Sequence, residues 1–194
     1  MTESWDACAA GWDDNKDVIN YSSKAFVSLR KVVDLTGLRI FDFGCGTGLL
    51  TERMAEYAER ITALDPSAKM IAVLESKKLS NVDTIVGEIT EKIFDLRPGL
   101  VSGFDLVVAS SVCAFLDDYQ LTLALLKRLL KPNGLFVQWD WLKSDKCQTF
   151  GFTENQLLSA FKQAGMTMLS VSTPFSLVSE GGEMEVLMGV GMNA

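Results

Sequence analysis

Three glycines at alternate positions, Gly44, Gly46 and Gly48, close the run Phe41-Asp42-Phe43-Gly44-Cys45-Gly46-Thr47-Gly48. A residue without a Cβ lets the main chain turn tightly and lets a ligand come close to the backbone. The run ends the apolar segment RIFDF (39–43) and opens the helical stripe LLTERMAEYAE (49–59), so the glycines sit where a strand hands over to a helix. Their spacing is GxGxG with Leu49 next, which differs from the GxGxxG of dinucleotide-binding turns. Asp65 ends the second strand, RITALD (60–65), about 20 residues further on, where doubly wound folds place a carboxylate that accepts hydrogen bonds from ribose hydroxyls. An aspartate that only shapes a turn before Pro66 has the same local sequence. The glycine turn upstream is what favours the ribose role.

The chain has no histidine, so a proton acceptor must come from a carboxylate, Lys, Tyr or Cys. Asp140 is the best placed: it lies at the end of the fifth strand, the edge where open α/β sheets hold substrates. Trp139 and Trp141 bracket it and by alternation share the opposite face, as core or as substrate lining. Asp117 and Asp118 read as the start of a helix, where carboxylates favour the dipole. Cys8, Cys45, Cys113 and Cys147 are far apart with no CxxC pair, which points to reduced thiols and no metal site. Net charge is −7, and Lys and Arg never gather beyond pairs, which disfavours a nucleic-acid partner. The longest apolar stretches fall well short of the ~20 residues that span a bilayer, and the first residues carry no signal pattern. These features imply a cytoplasmic chain with no membrane partner; oligomeric state is open.

These residues need a scaffold, and the hydrophobic patterning supplies one. Residues 5–34 read as one or two helices, carrying Trp5, Trp12 and Tyr21 either as core or as a lid. Strands and helices then alternate: strand 39–43, helix 49–59, strand 60–65, helix 67–79 capped by Ser67, strand 82–87, and a short helix after Thr90. The apolar run FDLVVAS (104–110) reads as a central strand. Helix 117–131, stopped by Pro132-Asn133-Gly134, leads to strand 134–141 and helix 154–165, which is capped by Thr153 and ended by Gly165. Strands 167–178 and 183–192 close the chain, joined by a Glu180-Gly181-Gly182 turn. Alternation of this kind specifies parallel βαβ units, and the closing hairpin must reverse one strand. The expected fold is a single α/β domain, residues 1–194. It is doubly wound, with a mainly parallel seven-stranded sheet, one antiparallel strand, and residues 1–36 as an N-terminal helical lid.

With these motifs in place, the chain resembles the class I S-adenosylmethionine-dependent methyltransferases, in the group with the small-molecule and quinone-type enzymes. The resemblance rests on FDFGCGTG (41–48), ALDPSAKMI (63–71), FDLVVASSVCAFLDD (104–118), LLKRLLKPNGLFV (125–137) and GFTENQLLSAFKQAGM (151–166), in that order. It implies the Rossmann-like strand order 3-2-1-4-5-7-6 and S-adenosylmethionine as cofactor. It implies that Asp42 and the backbone of Gly44, Cys45, Gly46, Thr47 and Gly48 hold the amino acid end of the cofactor. Asp65 would take the ribose, Pro66 and Met70 would flank the adenine, Glu88 would receive its amino group with Ile89 beside the ring, and Ala109 and Ser110 would face the sulfonium. Trp12, Tyr21, Phe115 and Trp139 would line the acceptor. Relatives often carry one or two histidines in the region equivalent to Cys113-Ala114-Phe115, and this chain has none, so a mechanism built on those histidines does not transfer. Cys113 itself reads as a small core residue.

The resemblance implies methyl transfer to a small-molecule acceptor, by in-line displacement that depends chiefly on proximity and alignment. Two other readings stay open: a methyltransferase acting on protein or RNA, and a cofactor-binding module without transfer activity. Ala109-Ser110-Ser111-Val112 stands where enzymes that methylate exocyclic amines of nucleic-acid bases carry an Asn-Pro-Pro-Tyr type tetrapeptide, which argues against that class.

Overall fold

The computed structural model describes residues 2–143, 150–179 and 182–194. Cys147, Glu180 and Gly181, named above from the sequence, lie outside the described residues. Seven strands form one sheet in the order β3-β2-β1-β4-β5-β7-β6, as the resemblance implied. The chain divides into two compact units, Met1–Glu88 and Ile89–Ala194. No described helix is long and apolar enough to cross a membrane.

In the first unit, α1 (Thr2–Cys8), a short 3₁₀ turn (Trp12–Asp14) and α2 (Lys16–Leu29) precede β1 (Arg39–Phe43). There follow α3 (Leu49–Ala55), β2 (Arg60–Asp65), α4 (Ala68–Ser76) and β3 (Val82–Val86). β1 and β2 run parallel with Phe43 opposite Leu64, and β2 runs parallel to β3 with Asp65 opposite Val86. That register brings the glycine turn and Asp65 to the same edge. Ile40, Phe41, Ile61, Ala63 and Leu64 are fully buried, which explains why these strands read as continuous apolar runs.

α3 stops four residues earlier than its periodicity predicts. Asn81 Nδ2 donates to the carbonyls of Ala55 and Ala58, both at 2.9 Å, and Gly37 N–H donates to the Tyr57 carbonyl. Those carbonyls are satisfied from outside the helix, so it closes in a turn. α4 ends where Lys78 enters the left-handed region at φ 54°. Ser67 caps it as expected, its Oγ accepting from Met70 N–H at 3.1 Å.

The second unit holds α5 (Glu91–Leu96), β4 (Phe104–Ser110), α6 (Tyr119–Leu129), β5 (Leu130–Trp141), α7 (Glu154–Gln163), β6 (Thr167–Ser179) and β7 (Gly182–Met192). β4 and β5 are parallel, with Ser110 opposite Trp139, while β7 runs antiparallel to both β5 and β6. β5 begins at Leu130 rather than 134, because Ser102 and Gly103 take the carbonyls of Arg128 and Leu129 and Leu130 pairs with Phe104. Asp118 caps α6 through Leu121 N–H, and Thr153 and Gln156 form a reciprocal capping box on α7. Pro174 falls where the β6–β7 register slips between Ser172 and Phe175, a place where its missing N–H is tolerated.

Gly48 shows how tightly the turn after β1 is fitted. Its φ is +81°, and a Cβ added there would lie 2.3 Å from Leu74 Cδ1 and 3.0 Å from Leu74 Cγ, a residue only 2% exposed. Gly48→Ala should therefore cost ~2–4 kcal/mol of stability, read as a fall in the urea unfolding midpoint at unchanged m-value.

Candidate active site

The turn after β1 is built from its own backbone. Gly44 and Cys45 N–H both donate to the Leu64 carbonyl, at 2.8 and 3.1 Å, and Gly48 N–H donates to the Cys45 carbonyl at 2.9 Å. Gly46 N–H donates to Asp65 Oδ2 at 2.9 Å, and Ser67 N–H donates to Asp65 Oδ1 at 2.8 Å. One carboxylate thus fixes the glycine turn and the entry to α4 together. Gly44 and Gly46 take φ of +68° and +54°, and a Cβ added at Gly46 would meet nothing within 4 Å. The turn therefore opens onto free space beside Asp65. The amides of four of the five turn residues are engaged within the protein, as are the carbonyls of Cys45 and Gly48, which accept from the Gly48 and Glu52 N–H groups.

Asp42 lies beneath this turn on β1, 1% exposed, and accepts from Thr51 Oγ1 at 2.6 Å. Burial pushes its carboxyl up to about 7, against the Thr51 hydrogen bond and with a small push from Asp65. Asp65 is also lifted above the ordinary carboxylate range by burial, opposed by the Ser67 and Gly46 N–H groups. Burial, with the charges of Asp42 and Asp65 beside it, holds the Cys45 thiol well above its usual value, so it stays neutral. Met70 is buried, Pro66 is half-buried and Glu88 is exposed just past β3.

Two carboxylates that the sequence reading passed over come from the N-terminal segment, one to this turn and one to the entry of α4. Asp13 accepts from Thr47 Oγ1 at 2.5 Å and pairs with Lys77 Nζ at 2.9 Å, and Lys77 also reaches Glu52 at 3.1 Å. Asp6 accepts from Ser67 Oγ at 2.5 Å. Trp5 and Trp12 meet edge to face at 5.9 Å, and Tyr21 is buried on α2. The linkage of residues 34 and 61 positions apart leaves no local pattern, so neither aspartate stood out among the acidic residues of the segment.

The second unit carries the other expected residues. Ala109 is buried at the end of β4, Ser110 follows, and Ile89 is buried at the start of the unit. Beyond Ser110 the chain turns sharply: Ser111 has φ 56°, and its N–H donates to the Trp139 carbonyl at 2.7 Å. A 3₁₀ turn, Cys113–Phe115, follows, and Ala114 N–H donates to Asp140 Oδ1 at 3.2 Å. Asp140 Oδ2 accepts from Gln138 Nε2 at 2.8 Å, and Gln138 Oε1 accepts from Tyr119 Oη at 2.6 Å. Asp140 is 1% exposed and Gln138 is fully buried. Burial lifts Asp140 to about 7, the Gln138 and Ala114 donors pulling the other way. Phe115 meets Phe150 at 4.6 Å between ring centres, and Tyr119 meets Phe152 at 4.8 Å. Trp139 has no exposed surface, so in this structure it is a core residue, whereas Phe115 is half-buried. Gln138 and Tyr119 were missed, although a Gln two residues before Asp140 in an apolar strand shares its face and was the available signal.

The methyltransferase-domain family matches residues 41–138, half of the chain, and the match takes in both the glycine turn and β4 to β5. The chain belongs to that family. Within it, the chain is of the class I S-adenosylmethionine-dependent type. The ubiquinone biosynthesis O-methyltransferase of Xanthomonas oryzae pv. oryzae is 32% identical over 109 residues, 56% of this chain and 44% of that protein. The malonyl-[acyl-carrier protein] O-methyltransferase of Halalkalibacterium halodurans is 39% identical over 102 residues, 50% of this chain and 37% of that protein. The chain thus spans less than half the length of these relatives. Among solved structures, a chain of the complex between the Haloferax volcanii Trm112 methyltransferase activator and a methyltransferase superposes with a TM-score of 0.81. The superposition covers 97% of each chain at 18% identity, a likeness of fold.

The two buried aspartates fix the sign of a pH effect. Each has a folded value near 7 against about 3.9 in an unfolded chain, so between these limits the folded protein keeps a proton that the unfolded one has released. Stability should therefore be greatest near pH 4 with respect to these groups, fall as pH rises to about 7, and level off above it. Asp42→Asn should flatten the fall by the order of 2–4 kcal/mol, checked by urea unfolding at half-unit steps from pH 4.5 to 8.

Proposed function

We propose that the protein transfers a methyl group from S-adenosylmethionine to an oxygen of a small-molecule acceptor. The observation that carries the reading is the open turn at Gly46, hydrogen-bonded to Asp65 at 2.9 Å with nothing within 4 Å of where a side chain would stand. A backbone open to close approach and a carboxylate at its rim fit the amino acid and ribose parts of an adenosyl amino acid. Asp42 and the turn of Gly44 to Gly48 would hold the amino acid end, Asp65 the ribose, Pro66 and Met70 the adenine, and Glu88 its amino group. The family resemblance also assigns Ile89, Ala109 and Ser110 to the cofactor, and Trp12, Tyr21 and Phe115 to the acceptor.

When bound, the cofactor supplies a methyl carbon already activated by its sulfonium. What remains for the protein is to align the acceptor, exclude water and take the proton that the acceptor's oxygen gives up. Asp140 is the group proposed for that proton, since its carboxyl is balanced near neutrality and the chain has no histidine to do the work. Oxygen is favoured as the accepting atom because both relatives described above are O-methyltransferases. A small acceptor agrees with the net charge of −7 and the absence of basic clusters from the sequence.

Thermal unfolding with S-adenosylmethionine, S-adenosylhomocysteine, NAD and NADP tests the cofactor. The two adenosyl ligands should raise Tm and the two nicotinamide ligands should not. Asp65→Ala should weaken S-adenosylhomocysteine at least tenfold in calorimetry, and stabilisation by NAD alone would overturn the reading. Incubation with methyl-labelled cofactor and a metabolite extract should give labelled products of low mass. Label confined to protein or RNA would remove the small-molecule acceptor.

A further inference from the structure

Gln138 is hard to explain as packing. It sits in the middle of FVQWDW on β5 with no exposed surface, where an aliphatic side chain of the same length would avoid the cost of burying an amide. Such a residue survives in a core only when its polar atoms are matched, and here both are: Oε1 by the Tyr119 hydroxyl and Nε2 by the Asp140 carboxylate. The amide is placed with its Nε2 end on the Asp140 carboxyl and its Oε1 end on the Tyr119 hydroxyl, the way round that suits an ionised Asp140, which accepts and cannot donate.

We propose that Tyr119 and Gln138 are positioning residues which hold the Asp140 carboxylate in a single orientation, ready to receive the proton released by the methyl acceptor. The inference rests on the reading of Asp140 as the proton acceptor and extends it to the machinery behind that residue. Tyr119 is the first residue of α6, and its ring is braced by Phe152 at 4.8 Å, so the hydroxyl is delivered from a fixed element rather than a loose side chain. Asp140 in turn takes the Ala114 N–H at 3.2 Å, and Ser111 N–H is fixed to the Trp139 carbonyl at 2.7 Å. The same chain of bonds therefore ties the strained turn after β4 to the strand that carries Asp140.

The groups around Asp140 leave the titration to Asp140 itself. Cys113 faces it from the 3₁₀ turn and Tyr119 belongs to α6; burial holds the thiol and the phenol above their ordinary ranges, so both stay protonated at neutral pH. β7 presents Leu187 opposite Asp140 and β4 ends in Ser110, neither of which titrates. Donors aimed at a carboxylate stabilise its charged form, so removing them must raise the pH at which it ionises.

The test is a carboxyl-carbon NMR titration of the full chain labelled at aspartate, with the Asp140 resonance assigned by its loss in Asp140→Asn. The wild-type midpoint should lie near pH 7. Gln138→Leu should raise it by about one unit. Tyr119→Phe, which keeps the ring on Phe152 and removes only the hydroxyl, should raise it by about half a unit and serves if the Gln138 variant does not fold. Gln138→Glu should raise it most, since two carboxyls would then share a proton. An Asp140 midpoint unmoved by Tyr119→Phe, in a protein whose unfolding midpoint matches wild type, overturns the proposal. S-adenosylhomocysteine calorimetry on the same samples separates the two readings. Loss of binding in the wild type counts against the methyltransferase reaction, while intact binding with an unmoved midpoint counts against the positioning role alone.

Discussion

A hydrogen bond of 2.9 Å between Gly46 N–H and Asp65 Oδ2 joins the tips of two neighbouring strands, and much of the first unit is arranged around it. The donor exists at that place only because Gly44, Gly46 and Gly48 tolerate left-handed backbone, and Gly48 must also admit Leu74. The acceptor exists there because β1 and β2 are in parallel register, Phe43 beside Leu64, so that Asp65 stands one residue beyond the paired ends. The other oxygen of the same carboxylate takes Ser67 N–H, and Ser67 starts α4. Turn, strand tip and helix entry are thus set by one anionic side chain whose charge the surroundings disfavour.

The two units treat buried acid in similar ways. Asp42 and Asp140 are each 1% exposed, each lifted to about 7 by burial, and each steadied by donors from nearby residues: the Thr51 hydroxyl for Asp42, the Gln138 amide and Ala114 N–H for Asp140. Burying a carboxyl that ionises with difficulty costs stability at the pH where the unfolded chain would have released the proton. Around each aspartate lie backbone segments in uncommon conformations, the glycine turn in one case and Ser111 in the other. Left-handed backbone and buried carboxyls thus coincide in both units, at the ends of strands.

Most of the architecture was legible from periodicity. β1, β2 and β4 begin and end where their apolar runs do, and Ser67, Asp118 and Thr153 begin their helices as their side chains predict. What the chain hid were endings decided from a distance. α3 stops at Ala55 because Asn81 supplies donors to its carbonyls, and β5 starts at Leu130 because Ser102 and Gly103 do the same at the end of α6. The candidate site divided along the same line. The glycines and Asp65 announce themselves by local spacing, while Asp6, Asp13 and Tyr119 acquire meaning only from partners far along the chain. Gln138 lies between these cases, a polar residue in an apolar strand that could have been questioned from sequence.

The links from the N-terminal segment also bear on how this unit folds. Asp6 is matched by Ser67, and Asp13 by Thr47 and Lys77, so these carboxylates find their partners far along the chain. Each pairing closes a long loop, 34 residues for Asp13 with Thr47 and 61 for Asp6 with Ser67, and loop closure carries its entropy cost before the contact forms. The segment that carries them is therefore among the last parts of its unit to settle, and the glycine turn is finished only when Asp13 returns to Thr47.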